Sequence, residues 1–218
     1  MERENRQFLI EGAKGFGIHL DDKTIEAFDQ FLRELLKWNQ KINLTAIRSE
    51  KGIVLNHFLD SLSVHPYLPE ICTLLDVGSG AGFPGIPLKI VQTSLEVISI
   101  DSTRKKIDFQ RHIVRVLGLK GIEPIHGRIQ DKEILWSMRG QFDIVISRAF
   151  SDLRTLLILS FPFLKTGGKV LAMKGNVSSE EILHLHEIEG TPYRLQKTVP
   201  FVLPFSDFKR TILLFGKE

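Results

Sequence analysis

Between Lys23 and Trp38 apolar residues fall at Ile25, Phe28, Phe31, Leu32, Leu35 and Leu36. That three-and-four spacing puts one stripe on one side of a helix. Asp21 or Asp22 is placed to supply the N-cap oxygen. Val54, Leu55, Phe58, Leu62 and Val64 predict a second helix over Val54–Val64, so residues 1–70 read as a helical extension. From Thr73 the rhythm changes. Short unbroken apolar runs predict strands at Leu74–Val77, Val97–Ile100, Ile122–His126, Ile144–Ser147 and Lys169–Lys174. Helical segments are expected between them, near Pro84–Val91, Arg104–Leu117 and Leu153–Leu164. Strands that are apolar throughout are covered on both faces, which is the mark of a parallel sheet flanked by helices. Val199–Leu203 and Thr211–Phe215 break the alternation. The turn-forming Pro204–Asp207 segment separates them, with no helix between, so the sheet is expected to end in an antiparallel hairpin. The fold class is α/β, with a Rossmann-like domain over residues 71–218 forming one compact unit with the extension.

The densest local signal is Leu74-Leu75-Asp76-Val77-Gly78-Ser79-Gly80-Ala81-Gly82-Phe83-Pro84-Gly85. A strand runs into a glycine-rich turn and then a helix. Glycine lets a ligand approach the main chain closely, and the helix start offers unpaired N–H groups. Two ligands suit the spacing. Gly80-x-Gly82-x-x-Gly85 matches the dinucleotide fingerprint. Gly78-x-Gly80-x-Gly82, with Asp76 ahead of it, is similar to the loop of class I methyltransferases, which bind S-adenosylmethionine. Asp101 ends the next predicted strand, where a carboxylate accepts hydrogen bonds from both hydroxyls of a ribose or caps the following helix. Phe163-Leu164-Lys165-Thr166-Gly167-Gly168 resembles a methyltransferase turn, and the terminal hairpin favours the same class over a nicotinamide enzyme.

Composition narrows this only slightly. The chain has 218 residues, 43% hydrophobic and 25% charged, which suits one globular domain with an appendage. Net charge +3 permits a polyanionic partner without demanding one. A single cysteine, Cys72, excludes an internal disulfide and reads as a reduced, buried thiol. The mixed-charge start has no apolar stretch behind it and no run is long enough for a membrane span. A cytoplasmic, monomeric protein without membrane attachment is expected.

A narrower match emerges from several segments together. They are Lys37-Trp38-Asn39-Gln40-Lys41-Ile42-Asn43-Leu44-Thr45, His57-Phe58-Leu59-Asp60-Ser61, the loop Gly78–Pro87, Ile146-Ser147-Arg148-Ala149-Phe150 and Ala172-Met173-Lys174-Gly175. This set resembles the ribosomal small-subunit methyltransferase G family, also called glucose-inhibited division protein B. The resemblance implies methylation of guanine N7 in the decoding-region loop of 16S rRNA, as naked RNA or in the small ribosomal subunit. It implies that Gly78 and Phe83 line the methionine end of the cofactor pocket, that Ile129 and Gln130 contact the adenine, and that Arg148 stands at the mouth. Asn56 and Gln130 depart from the basic and acidic residues common at those family positions.

The remaining polar residues are weighed individually. Arg148 either positions a reactant or balances Asp143 or Asp152. Phe83 either packs on the cofactor or belongs to the core. Lys174, Lys209 and Arg210, near strand ends, are candidates for RNA phosphate. Arg104 and Arg111 share a helix face with Arg115, which reads first as a solvated face and second as an RNA contact. His57 and Asp60 read as a structural pair, and Trp38 as an anchor for its helix. His184-x-His186-Glu187 lacks a second metal-spaced histidine, so no metal is expected. A nicotinamide-dependent oxidoreductase and a non-catalytic RNA-binding module stand as the alternatives.

Overall fold

The computed structural model describes residues 1–148, 150, 152–175, 177 and 193–217. Its centre is a seven-stranded sheet of β1 (Thr73–Val77), β2 (Glu96–Asp101), β3 (Ile122–His126), β4 (Phe142–Ser147), β5 (Leu164–Lys174), β6 (Tyr193–Val202) and β7 (Lys209–Lys217). The strand order is β3-β2-β1-β4-β5-β7-β6. The first five strands run parallel, while β7 lies antiparallel to β5 and β6 antiparallel to β7. The order reverses between β1 and β4, and the crevice beyond the carboxyl ends of two such strands is where open α/β sheets bind ligands.

The expected parallel core and terminal hairpin are both present, with longer strands than the apolar runs alone define. The Leu-Lys-x-Gly-Gly segment lies inside β5 rather than ahead of it. There the β4–β5 register jumps from Phe142↔Leu164 to Ile144↔Lys169, and Gly167 takes a positive φ of 74° to absorb the extra residues. The expected helix to Leu164 is α8 (Leu153–Ser160), because Pro162 cannot continue it and a 3-10 turn over Phe161–Phe163 follows.

Helices α5 (Gly85–Val91), α6 (Arg104–Val116) and α7 (Lys132–Ser137) join α8 around the sheet. Ahead of the sheet come α1 (Arg3–Gly15), α2 (Asp22–Ile42) and a continuous helical stretch made of α3 (Glu50–Ile53), a π turn (Val54–Leu59) and α4 (Asp60–Leu62). The last three replace the single helix expected over Val54–Val64. Asp21 is the N-cap of α2, accepting from Thr24 N at 2.8 Å. At the other end Asn39 Oδ1 accepts from Leu44 N and Thr45 N while Asn43 turns left-handed. Trp38 anchors α2 by packing on Phe109 and His112 of α6, with ring centroids 5.4 and 4.9 Å apart.

The helical extension shares its core with the sheet domain. Leu9, Phe28, Phe31, Leu35 and Phe58 pack in one cluster with Phe83 and Ile86 at the start of α5 and with Phe109 and Ile113 of α6. Each such side chain, fully buried, contributes roughly 1.5–3 kcal/mol. Cys72 is buried and reduced, and burial pushes its thiol up to about 11. Among the described residues no helix is long and apolar enough to cross a membrane.

Candidate active site

The loop after β1 is held from below and from the side. Gly78 N and Ser79 N donate to Ile100 O of β2 at 2.9 and 3.2 Å. Gly78, Gly80 and Gly82 take φ of 72°, 58° and 98°, a region costly for any residue with a Cβ. Gly85 N donates to Asp76 Oδ2 at 2.8 Å, and a Cβ on Gly85 would lie 2.8 Å from that same oxygen. Gln110 of α6, fully buried, completes the scaffold. It donates to Ser79 Oγ (2.8 Å) and Gly80 O (2.7 Å) and accepts from Ser99 Oγ at 2.6 Å. The sequence reading did not single out Gln110. Its position on the buried stripe of α6, among apolar residues, is the signal that could have found it.

Asp101 has one oxygen on the loop and one on the next helix. Oδ2 accepts from Gly80 N (2.9 Å) and Oδ1 from Thr103 N (2.8 Å). The capping role and an outward-facing role thus coexist, since each carboxylate oxygen has lone-pair capacity left. A cleft of about 340 Å³ opens here, lined by Gly78, Asp101, Arg128, Ile129, Gln130 and Phe150 among others. Gly78, Asp101, Ile129 and Gln130 are thereby brought together, although the last two come from the far side of β3. Gly80 and Gly82 shape the loop without lining this cleft.

Asp76 lies beneath the loop with no solvent exposure, and its Oδ1 has no hydrogen-bond partner. Burial pushes its carboxyl up to about 7, against the opposing pull of the Gly85 N–H and Arg148. Phe83 is also buried. Its ring is stacked on His57 at 4.5 Å and on Phe31 at 5.3 Å, so it belongs to the shared core and presents no open face.

A second, cationic cavity of about 280 Å³ lies on the β4 side of the crevice, lined by Asn56, His57, Asp60, Arg148, Lys174 and Arg210 among others. Asp60 is its hub. With 5% of its side chain exposed, it accepts from Arg148 Nη1 on Oδ2 (3.2 Å) and from Arg210 Nε on Oδ1 (3.0 Å). Arg148 therefore balances Asp60, not Asp143 or Asp152. Asp143 sits at the opposite end of β4, bound to Lys165 at 2.9 Å, and Asp152 caps α8. Arg148 also donates to Asn56 O (3.0 Å), lies over the Phe83 ring at 5.4 Å and places Nη2 3.3 Å from His57 Nδ1. An arginine can only donate, so Nδ1 accepts and the ring proton is on Nε2, 2.8 Å from Thr45 Oγ1. Burial, helped by Arg148, pulls the His57 pKa down to about 3, so the ring is neutral. His57 and Asp60, expected as a structural pair, instead hold the mouth: Asp60 takes both arginines, and His57 meets Arg148 and Thr45.

Lys174 Nζ donates to Phe150 O between the cleft and the cavity. Lys209 is exposed one residue before Arg210. Arg104 and Arg111 stand apart on the outer face of α6. Arg104 pairs with Asp108 at 3.3 Å, and Arg111 donates to Pro124 O at 3.2 Å. No group of three His, Cys, Asp or Glu residues capable of holding a metal occurs among the described residues. His184, His186 and Glu187 lie outside them.

This loop-and-mouth geometry is matched by sequence. The model of the family described as "GidB: rRNA small subunit methyltransferase G" matches residues 24–205. The chain belongs to that family. It is 42% identical over 217 residues to "Ribosomal RNA small subunit methyltransferase G" of Acetivibrio thermocellus, covering 99% of this chain and 90% of that protein. It is 40% identical over 219 residues to the protein of the same name from Geobacter metallireducens, covering 100% and 99%. The fold is similar to that of a SAM-dependent methyltransferase from Aquifex aeolicus (TM-score 0.58, 20% identity, 75% of this chain and 92% of that one). It is also similar to M. jannaschii TYW2 in complex with AdoMet (TM-score 0.53, 18% identity, 67% and 68%). Asn56, where the resemblance suggested a basic residue, serves this family member as an acceptor: its carbonyl takes Arg148, and its Oδ1 takes Arg210 Nη2 at 3.3 Å.

Proposed function

We propose that the chain transfers a methyl group from S-adenosylmethionine to N7 of a guanine in the decoding-region loop of 16S rRNA. The observation that carries this is the pairing of two cavities across the β1/β4 switch point, one with an acidic strand end and a glycine loop, the other cationic. Family membership removes the dinucleotide reading of the loop. It also supplies the small-subunit RNA as the substrate class of the named relatives.

The residues present suit the cofactor. Asp101 would accept from ribose hydroxyls, and Ile129 and Gln130, which line the same cleft, would hold an adenine, since a glutamine oxygen can accept from an amino group. Asp76 is a buried carboxyl with one unpartnered oxygen near the loop, suited to a cationic amino group. Gly78 leaves the main chain open at the cleft. When bound, S-adenosylmethionine supplies an electrophilic sulfonium methyl.

Guanine N7 has a free lone pair and no proton to lose. The reaction needs alignment and exclusion of water, with no general base. The mouth agrees with that requirement: its histidine is a neutral, very weak base, hydrogen-bonded at both ring nitrogens. Arg148 positions the reactants, and Lys174 and Arg210 offer charge to phosphate. The protein acts on its RNA in the cytoplasm as a monomer, without a metal.

Incubation with labelled S-adenosylmethionine and either 16S rRNA or small subunits, followed by mapping of the labelled base, tests this. Label as 7-methylguanosine at one position is the expected result. Tight cofactor binding with label on a different base or none would overturn the substrate assignment while leaving the cofactor.

A further inference from the structure

The turn joining β6 to β7 has an unusual surface. Val202, Phe205 and Phe208 are 56%, 44% and 49% exposed, and they crowd within seven residues. Burial accounts for only part of this surface, through the contact of Phe205 with Phe8 of α1. Nor is the turn loose. Leu203 N donates to Phe208 O (2.9 Å), Ser206 N and Oγ donate to Leu203 O (3.2 and 2.9 Å), and Phe208 N donates to Ser206 Oγ (3.3 Å). Phe205 is held at a φ of 60°, which a residue with a Cβ adopts at a cost and keeps only where its surroundings enforce it. The turn thus keeps Phe205 in a costly backbone conformation, with its ring half-exposed.

Phe208 is backed by a cation, and a second cation lies on the ring that Phe205 packs against. Arg210 Cζ stands 5.5 Å from the Phe208 ring centroid, and Arg210 also lines the cationic cavity. Phe205 packs on Phe8 of α1, with centroids 4.9 Å apart, and Lys51 Nζ lies 4.9 Å from the other ring of that pair, Phe8. Exposed Lys209 completes the edge, and Asp207 is the one acid on the turn. Flat aromatic faces interleaved with Lys and Arg suit an unpaired nucleic-acid strand, whose bases stack and whose phosphates pair with the cations. Arg210 joins this turn to the cationic mouth, which favours the RNA of that site over a membrane or a protein partner.

We propose that the β6–β7 turn is a base-stacking platform for single-stranded RNA. Phe208 and Phe205 receive nucleobases flanking the target nucleotide, and Lys209, Arg210 and Lys51 hold the adjoining phosphates. Through Arg210 the platform is continuous with the mouth, so a strand stacked on Phe208 leads into the cavity beside Arg148. This rests on the RNA reading above and adds a feature that reading does not require: recognition of an unpaired loop by stacking.

The test uses the full chain with Phe208→Ala, Phe205→Ala and Phe208→Tyr. Two quantities are measured: KM for 16S rRNA, and affinity for an unpaired oligoribonucleotide of the loop with 2-aminopurine beside the target guanine. Each alanine variant is expected to raise KM and weaken the oligonucleotide roughly tenfold. Phe208→Tyr should restore both, and 2-aminopurine quenching should be lost with Phe208→Ala. S-adenosylmethionine affinity and the melting temperature of Phe208→Ala should match the parent chain, which separates a lost contact from a damaged fold. Oligonucleotide affinity within twofold of the parent in both alanine variants overturns the proposal. So does a change of oligomeric state with RNA affinity intact, which would make the turn a contact between copies. A parent chain that fails to methylate RNA defeats the functional reading alone, because the oligonucleotide titration reads the platform without turnover.

Discussion

The two halves of the site are built by different means. The cofactor side is mostly main chain: glycines at positive φ, N–H groups from a strand-to-helix loop, and two carboxylates that organise it. The mouth is organised mostly by side chains. Asp60 reaches Arg148 and Arg210, 88 and 150 residues away in sequence, from a helix outside the sheet domain. A loop of the first kind can be shaped by its own few residues. A cluster of the second kind exists only when three distant elements are in place, and its charges stay oriented because one buried carboxylate serves two guanidinium groups.

This contrast can be broken experimentally. Arg148→Ala should have the largest effect, lowering methyl transfer by about 100-fold or more, the scale of losing a preorganised charge at a reacting centre. The fold should persist, since Arg210 still neutralises Asp60. Near-parental turnover would remove Arg148 from the site. Asp60→Ala should come next. Stranding two partly buried arginines costs about 3–5 kcal/mol, or a melting temperature lower by roughly 10 °C, readable by calorimetry. If stability held while turnover fell, the hub would be a matter of position alone.

On the cofactor side the sign reverses. Asp76→Asn should stabilise the protein at pH 8 by about 1–3 kcal/mol, because it removes a buried, half-satisfied carboxylate, while weakening S-adenosylmethionine. Its native pKa is raised from 3.8 to about 7. The native state therefore holds the proton in between, and the advantage of Asn should be absent below about pH 4, grow through the window and be complete above pH 7. His57 runs the other way, lowered from 6.5 to about 3. It withdraws stability as the pH falls below 6.5, so His57→Gln should gain relative to the parent there. Denaturation at several pH values would show whether the two slopes oppose. The smallest effects belong to Arg104→Ala and Arg111→Ala. Arg104 and Arg111 both pair with Asp108 on the exposed face of α6, at 3.3 and 3.9 Å, so stability should move by no more than ~0.5 kcal/mol. A fall of about one in the salt slope of RNA binding would bring α6 into the interface.

What could be read from the chain follows the same division. The β1 loop, Asp101 and the parallel strands were legible because each is a contiguous pattern whose period or glycine spacing expresses local geometry. The helix α1 went unread: its buried side is Asn5, Leu9, Gly12 and Ala13, too small and polar to mark a stripe. The π turn has no periodic signature. His57 and Asp60 were visible as a pair on one helix face, but nothing local says that their partners are Arg148 and Arg210. The ion-pair alternative for Arg148 names its sequence neighbours, Asp143 and Asp152, and both are engaged elsewhere, one with Lys165 near the start of β4 and the other as a helix cap.

The Phe31–Phe83–His57 stack has a consequence for the order in which the protein can be made. The helical extension leaves the ribosome first, with its apolar stripe complete and its partners unsynthesised. Phe83 follows Phe58 by 25 positions and Ile113 by 55. At roughly 5–20 residues per second, the nascent extension shows an unsheltered apolar face for several seconds. It closes only after the glycine loop and α6 have emerged. The tie from Arg210 to Asp60 waits until the start of β7 is out. A nascent chain stalled before α6 should therefore be the form most in need of a chaperone, and Arg210 is the last residue of the mouth to arrive.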